Sequence, residues 1–174
     1  VPDLYIAWHA GKSKWKKLNS LNEHSIGIEI SNPGHEYGYK KFSNKQLFSL
    51  KKILRFLIER YQINLKNVLG HSDIALTRKK DPGEKFPWRD LSKKKLCIWH
   101  TLKENKLMKF RNKKISPIKE KLFFKNLNKI GYDTSNIIKN RKYVINAFHR
   151  RFRPELINSN IDEESYLISK NLIS

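Results

Sequence analysis

The order of secondary-structure signals in the first half of the chain is the feature that most constrains its fold. Residues 26–31 alternate Ile with small or charged residues, which predicts a strand, and the Asn-Pro-Gly sequence at 32–34 ends it because proline cannot continue a hydrogen-bonded ladder. Residues 44–61 predict a helix, since large apolar side chains recur at helical spacing and Ser43 can cap the N-terminus. Residues 68–71 predict a short buried strand. This order indicates an α/β domain with a mixed β-sheet flanked by helices, whose functional residues gather on loops at strand ends.

The second half of the chain carries helical signals only. One helix is predicted from Pro117 to a C-cap at Gly131, where the lack of a side chain favours the capping conformation. A second helix is expected to stop before Pro154, and a third is expected to begin at Asp162 as its N-cap. Three short helices predict a small bundle.

The Lys-rich stretch between the two halves predicts a linker. We expect an α/β domain over residues 1–91, a basic linker over 92–116 and a small three-helix domain over 117–174. The division stands on the weak periodicity of the linker and on its charge.

The chain is strongly basic, with 37 Lys and Arg against 16 Asp and Glu and a formal net charge of +21. Nearly half of this excess lies in residues 92–125. Such a field attracts polyanions, whether nucleic acid, anionic lipid or an anionic wall polymer. An A+T-rich genome would enrich Lys, Asn and Ile in the same way, and the sequence leaves both explanations open.

Cysteine and hydropathy patterns add two limits. The single cysteine, Cys97, excludes an internal disulfide, and its apolar neighbours predict a buried, unreactive thiol. No apolar run approaches the ~20 residues that a membrane-spanning helix needs, and no secretory signal is present. Because the chain opens with Val1 rather than Met, the lack of a signal supports no conclusion about location.

A candidate metal site follows the strand predicted over residues 68–71. Neutral imidazole and carboxylate groups are zinc ligands, and His71 and Asp81 both lie on the irregular segment after that strand. A catalytic zinc takes three protein ligands and keeps one position for water. A hydrogen-bonded loop histidine and a turn-forming aspartate would explain the same two residues, and spacing alone does not decide between the two interpretations.

Two further residues could take part in catalysis beside such a metal. Glu29 lies between Ile28 and Ile30 and therefore points away from the face that these two bury, which makes it a candidate proton-transfer group in a cleft. Lys79 could place a cation where an oxyanion develops.

Several short motifs, in this order and spacing, resemble the amidase-2 family, which includes bacterial peptidoglycan amidases and the peptidoglycan recognition proteins. They are residues 7–11 (AWHAG), 22–29 (NEHSIGIE), 32–34 (NPG), 70–75 (GHSDIA), 78–83 (RKKDPG) and 86–88 (FPW). The tail motifs at residues 130–133 (IGYD) and 147–154 (AFHRRFRP) are similar to the helical peptidoglycan-binding domain of one branch of the family. The resemblance covers nearly the whole chain.

The resemblance implies a zinc-dependent N-acetylmuramoyl-L-alanine amidase, which hydrolyses the amide between N-acetylmuramate and L-alanine. Its substrate would be peptidoglycan or muropeptides, and its cofactor Zn²⁺. It assigns roles by position to seven residues: His71 and Asp81 as zinc ligands, Glu29 and Lys79 as catalytic residues, and Trp8, His9 and Asn22 as residues lining the substrate cleft. It also implies a location in the cell envelope, periplasmic or secreted, if a signal precedes the chain; a cytoplasmic location stays open. We further expect a monomeric protein.

Two departures from the family pattern leave alternatives open. The family's first zinc ligand is a His on an N-terminal strand ahead of the AWHAG motif, and no His precedes residue 7 here; His9 belongs to a different motif. Ser20 stands where many members carry an Arg. We therefore expect a fragment of a longer enzyme or the product of a split or decaying gene.

Two other functions remain as alternatives to the enzyme. One is a catalytically inactive remnant that binds peptidoglycan. The other is a basic protein that binds nucleic acid, although no helix-turn-helix, zinc-finger or RNA-binding signature supports it.

Overall fold

The computed structural model describes residue 2 and residues 5–174 of the chain. Within these residues a two-stranded hairpin and seven α-helices form a mixed α/β arrangement. The strands are β1 (Lys14–Trp15) and β2 (Leu18–Asn19), and the helices are α1 (Asn44–Tyr61), α2 (His71–Ile74), α3 (Trp88–Lys93), α4 (Glu104–Leu107), α5 (Pro117–Ile130), α6 (Ile137–Phe152) and α7 (Glu163–Asn171). Short 3-10 turns occupy Leu21–Glu23, Leu65–Asn67 and Met108–Phe110. None of the described helices has the length and apolar character needed to cross a membrane.

The long helix α1 begins and ends where the sequence predicts. The hydroxyl of Ser43 accepts a hydrogen bond from the backbone N–H of Gln46, and the Gln46 side chain accepts one from the Ser43 backbone N–H. This reciprocal pair forms a capping box, which satisfies donors that the first turn leaves unpaired. Leu50 is fully buried, while Leu54 and Ile58 on the same face are partly buried.

The three predicted C-terminal helices are confirmed. Pro117 opens α5 and Gly131 caps its C-terminus with a φ of 139°. Helix α6 ends at Phe152, ahead of Pro154, and the Asp162 side chain caps α7. Each boundary involves residues a few positions apart, which local sequence specifies well.

The strands predicted over residues 26–31 and 68–71 are not formed within the described part of the chain, and those predictions were wrong. Val68 and Gly70 have extended backbone, with ψ of 107° and 156°, but neither pairs with a described strand, and His71 begins α2 instead of lying in a loop. A strand needs a neighbouring segment to complete its ladder, and no local pattern supplies that partner. The sheet here consists of the β1–β2 hairpin, in which Trp15 pairs with Leu18.

Cys97 lies in the smaller of two apolar clusters, which packs under α1. The buried members of this cluster are Phe42, Leu50, Phe86, Trp88, Leu91, Leu96 and Cys97. Burial raises the pKa of the Cys97 thiol to about 11. The predicted burial of Cys97 is thus confirmed.

The larger cluster joins the hairpin to the C-terminal helices. Trp15 packs edge-on against Tyr132 with 5.1 Å between ring centroids, and Phe123 and Phe148 lie in the same cluster. Buried contacts therefore run between residues 1–91 and 117–174. The division of the chain at the basic linker stays a prediction.

Candidate active site

Six of the seven residues singled out in the sequence line one cleft. The cleft has a volume of about 1330 Å³, and its walls include Trp8, His9, Glu29, His71, Lys79 and Asp81. It continues beneath α1, where Leu50, Leu54, Leu57 and Ile58 form an apolar wall. A cleft of this size exceeds the ~300–1,000 Å³ of typical small-molecule pockets, so it offers room for an extended substrate.

Glu29 faces the cleft as the alternation around it predicts. Ile28 and Ile30 pack against the smaller apolar cluster, while the Glu29 side chain is exposed. All three side chains line the cleft, with the two isoleucines partly buried and the Glu29 carboxylate open to solvent. Its position suits a group that exchanges protons with water and substrate.

His71 and Asp81 meet across the cleft. Nδ1 of His71 lies 3.0 Å from Oδ2 of Asp81, and Nε2 of His71 lies 3.2 Å from the Ala10 carbonyl oxygen, to which it can donate. Burial alone would raise the pKa of Asp81, but the hydrogen bond from His71 and the charges of His71 and Lys79 lower it below its ordinary value. The carboxylate is therefore held in its ionised, ligand-competent form.

This arrangement fits part of a zinc site. A metal-binding histidine commonly donates its second ring N–H to a backbone carbonyl, which fixes the tautomer, and Ala10 offers that acceptor to Nε2 of His71. Nδ1 of His71 and Oδ2 of Asp81 lie 3.0 Å apart, close enough for both to bind one ion once Nδ1 carries no proton. Among residue 2 and residues 5–174, no group of three His, Cys, Asp or Glu side chains is placed to hold a metal. The described residues thus bring two candidate ligands together, and their role as metal ligands stays a prediction.

Close packing of the turn around Pro82 brings His71 and Asp81 together. A Cβ atom at Gly70 would lie 2.8 Å from Cδ of Pro82, so only glycine allows this approach. The backbone N–H of Ser72 donates to the Asp81 carbonyl at 2.8 Å, and the Tyr39 hydroxyl donates to the Pro82 carbonyl at 2.6 Å. The Asp81–Pro82 peptide bond is cis.

Asn22 has a different position from the other six residues. It is buried and does not line the cleft; its Oδ1 accepts hydrogen bonds from the backbone N–H groups of Ala10 at 2.7 Å and Gly11 at 3.2 Å. Nη2 of Arg78 donates to the Ala10 carbonyl from the other side at 2.6 Å. Asn22 therefore shapes the loop that carries Trp8, and a direct contact between Asn22 and substrate stays a prediction.

Trp8 and His9 lie on that loop at the mouth of the cleft. The Trp8 side chain is 90% exposed, which is unusual for an aromatic ring without a partner surface. His9 is held more firmly, since Nε2 can donate to the Ser25 carbonyl at 3.0 Å and its ring covers Gly27. A Cβ atom at Gly27 would lie 2.6 Å from the His9 ring. The His9 ring is thus engaged with Ser25 and Gly27, whereas Trp8 is exposed, and substrate contacts of both stay predictions.

A buried polar network behind His71 was not identified from the sequence. Asp73, Tyr132 and Arg151 belong to the GHSDIA, IGYD and AFHRRFRP motifs, which were the signals that could have drawn attention to them. Arg151 Nη1 donates to Asp73 at 2.7 Å, and the Tyr132 hydroxyl donates to the same carboxylate at 2.7 Å. Burial raises the pKa of Tyr132 well above its ordinary value, which keeps the hydroxyl protonated as a donor.

The AFHRRFRP motif is largely buried. Ala147, Phe148, His149, Arg151, Phe152 and Arg153 are all buried, and only Arg150 and Pro154 are partly exposed. A wall-contacting surface of the C-terminal helices would therefore consist mainly of other residues, such as the exposed Ile118 and Ile138.

Comparison with known proteins shows that the chain is similar to peptidoglycan amidases. The family model described as N-acetylmuramoyl-L-alanine amidase matches residues 1–84. The N-acetylmuramoyl-L-alanine amidase AmiD of Escherichia coli K12 is 33% identical across 99% of this chain, and the match spans 65% of AmiD. The 1,6-anhydro-N-acetylmuramyl-L-alanine amidase AmpD of Enterobacter cloacae is 39% identical over 51% of this chain and 45% of AmpD.

Two solved structures extend the likeness to the whole fold. The complex of Escherichia coli AmiD with anhydro-N-acetylmuramic acid-L-Ala-D-γ-Glu-L-Lys has a TM-score of 0.85 at 32% identity, and covers 99% of this chain and 70% of AmiD. AmpDh3 of Pseudomonas aeruginosa has a TM-score of 0.84 at 30% identity, and the match covers 99% of this chain and 70% of AmpDh3. The expected α/β class is confirmed by these matches, and the chain spans about two thirds of the AmiD length.

Proposed function

The chain belongs to the N-acetylmuramoyl-L-alanine amidase family, and we propose that it hydrolyses the amide between N-acetylmuramate and L-alanine. The substrate would be peptidoglycan or the muropeptides released from it, because the related AmiD structure holds a muropeptide. The observation that carries the proposal is the single cleft that brings together Glu29, His71, Lys79 and Asp81. These four supply two metal-ligand groups, a carboxylate and a cation, as metal-assisted amide hydrolysis requires.

The metal is expected to be zinc, since enzymes of this family are generally zinc-dependent. His71 would bind it through Nδ1 and Asp81 through Oδ2, with Ala10 holding the second ring nitrogen of His71. Bound zinc supplies a Lewis acid that polarises the amide carbonyl and acidifies water. The third ligand is not assigned to any of the described residues.

Glu29 and Lys79 would carry out the remaining chemistry. The Glu29 carboxylate accepts a proton from the attacking water and delivers it to the amide nitrogen as the C–N bond breaks. The Lys79 ammonium lies near enough to Asp81 to lower the pKa of that carboxyl, so it is well placed to stabilise the negative charge on the former carbonyl oxygen. Trp8 would stack against the substrate at the mouth of the cleft, and His9 and Asn22 hold the loop in place.

Incubation with a defined anhydro-muramyl peptide and zinc tests this function directly. Mass spectrometry should detect the free peptide with a new N-terminal alanine and the matching muramyl product. Absence of both products, together with retention of the muropeptide on the protein, would replace the enzyme with the alternative, a catalytically inactive peptidoglycan-binding remnant. We also propose a location in the cell envelope, where the substrate lies, which fractionation of cells that produce the protein would test.

A further inference from the structure

A single buried arginine connects the C-terminal helices to the wall of the cleft. Arg151 lies on α6 with a side chain only 2% exposed. Its Nη1 donates to Oδ2 of Asp73 at 2.7 Å, its Nη2 donates to the Val68 carbonyl at 2.8 Å, and its guanidinium stacks on the Trp88 ring at 4.1 Å from the centroid. One rigid, planar group therefore holds three separate points on the wall behind His71.

Asp73 transmits this contact to the two sides of His71. Its Oδ2 also accepts the backbone N–H of Gly70 at 2.8 Å, directly before His71, while its Oδ1 accepts the Tyr132 hydroxyl at 2.7 Å. The carboxylate thus joins the residue preceding His71 to α6 and to the C-terminal side of α5. With residues 68, 70 and 73 held, the backbone of His71 has little freedom.

From these contacts we propose that Arg151 is a positioning residue for His71. It acts through Asp73 to set the direction of the His71 imidazole toward Asp81, so the C-terminal helices form part of the machinery of the cleft. The inference deepens the proposed function and rests on it for the role of the His71 and Asp81 pair. A carboxylate saturated by charged and neutral donors is directional, whereas apolar packing of the same volume would leave the turn free to rotate.

A second buried arginine, just after the same helix, offers a matched control. Arg153 is 1% exposed, and its Nη1 donates to Asp162 at 2.6 Å while its Nη2 donates to Asn158 at 3.1 Å. Its further contacts, with His149 and Glu164, also lie in the C-terminal part of the chain. Among the described residues, Arg153 therefore serves the tail rather than the cleft wall. Removing one partner of either buried pair should destabilise the fold to a similar degree.

The experiment compares Arg151→Met with Arg153→Met in the full chain. The ring ¹⁵N signals of His71, recorded at fixed pH, should shift in Arg151→Met and remain in place in Arg153→Met, although both variants lower the midpoint of thermal unfolding. The affinity for zinc alone, measured by titration, should fall about tenfold or more in Arg151→Met only, as is typical when a group that orients a metal ligand is lost. Equal effects of the two variants on the His71 signals would show that Arg151 is merely structural and would overturn the proposal.

Two milder variants keep the test decisive if Arg151→Met does not fold. Arg151→Lys retains the positive charge but loses the planar guanidinium that donates to Asp73 and Val68 together. Tyr132→Phe removes one hydrogen bond from Asp73 with little change in side-chain volume. Both should move the His71 signals in the same direction as each other; unchanged signals in both would overturn the proposal. The ¹⁵N signals report on the His71 ring without any need for catalytic turnover. They therefore test the positioning role of Arg151 separately from the proposed amidase activity. A chain without amidase activity whose His71 ring still follows Arg151 would contradict the proposed function alone.

Discussion

Trp15 packs so closely against Gly131 that a Cβ atom at Gly131 would lie 2.4 Å from the Trp15 ring. The same glycine has a φ of 139°, and its carbonyl accepts the backbone N–H of Lys16 at 2.7 Å. The residue that caps α5 in the C-terminal half of the chain thus packs directly against the β1–β2 hairpin. The contact links hairpin and tail independently of Arg151.

We expect Gly131→Ala to lower the free energy of unfolding by about 1–3 kcal/mol, because the new methyl group overlaps the buried Trp15 ring and the backbone conformation is unfavourable for alanine. Chemical denaturation measures the loss. Gly38→Ala is the control, since Gly38 also has a positive φ, 86°, but no atom of the described residues lies within 4 Å of the place that its new methyl group would take. This variant therefore reports the cost of a methyl group at a positive φ without a clash, at a φ of 86° rather than 139°. Equal losses in the two variants would contradict the tight Trp15 contact.

Local signals explain why the helices were predictable. Ser43 meets Gln46 and Asp162 meets Ser165 three positions along the chain, so a sequence pattern contains the whole interaction. The strand predicted over residues 26–31 was wrong for the opposite reason, since a strand exists only with a partner that can lie anywhere in the chain. The alternation within that segment still predicted correctly that Glu29 faces away from the apolar core.

The candidate site was predictable as a set of chemical groups and not as a geometry. Motif resemblance singled out His71 and Asp81, but the contact of His71 with the Ala10 carbonyl depends on the folded path of two distant loops. Asp73 and Arg151 are separated by 78 positions, and no periodicity connects them. Arginine side chains are also rarely buried, so the arginines of a basic sequence are first expected to be exposed to solvent. This expectation concealed the role of Arg151.

His149 predicts a dependence of stability on pH. Burial, reinforced by the charge of Arg153, lowers the pKa of His149 to about 3, and its ring bonds Ser165 at 3.1 Å in the neutral form. The pKa of this histidine is 6.5 when it is unperturbed, as in the unfolded chain, and about 3 in the folded chain. Between these two pH values His149 is therefore protonated in the unfolded chain and neutral in the folded one. The free energy of unfolding should therefore be highest above pH 6.5 and fall, by on the order of a few kcal/mol, as the pH drops through that window.

Urea denaturation of the protein and of His149→Gln across this pH range checks the prediction. The variant is expected to be less stable at neutral pH but to lose stability less steeply on acidification. His100, whose pKa burial also lowers, contributes equally to both proteins and cancels in the comparison. Parallel slopes would show that His149 is not the titrating group.

The Lys-rich segment over residues 92–125 should attract polyanions without sequence preference. Exposed charges are screened within about 10 Å at 0.1 M salt, so binding to DNA or to phosphate-rich wall polymers should weaken steadily as salt rises. A triple variant of the segment replaces the exposed lysines Lys94, Lys106 and Lys114 by glutamine. It should elute from immobilised DNA at a lower salt concentration than the unchanged protein. A control triple variant replaces the exposed lysines Lys12, Lys40 and Lys45, which lie outside the segment. Its elution should change less than that of the first variant. Identical elution of the two triple variants would assign the attraction to net charge alone.

Zinc should bind this chain weakly through His71 and Asp81, because two protein ligands leave the ion largely hydrated. Either His71→Ala or Asp81→Ala should remove most of that binding in a calorimetric titration. His9→Ala serves as the control, since the His9 ring is engaged with Ser25 and is not expected to bind the metal. Tight, stoichiometric zinc that persists in His71→Ala would refute the ligand assignment.

The roles of Glu29 and Lys79 can be separated by kinetics on a muropeptide substrate in the zinc-loaded protein. Glu29→Gln should lower kcat by roughly 10²–10⁴ and leave zinc affinity unchanged, because the carboxylate moves protons and does not hold the metal. Lys79→Ala should lower kcat by about 10²–10³ with little change in KM, because its charge stabilises only the transition state. Lys80→Ala, at the next position and outside the cleft, and Glu23→Gln, an exposed carboxylate outside the cleft, should both retain normal kcat. Near-normal turnover by Glu29→Gln would leave the cleft without its proton-transfer group and would exclude this mechanism.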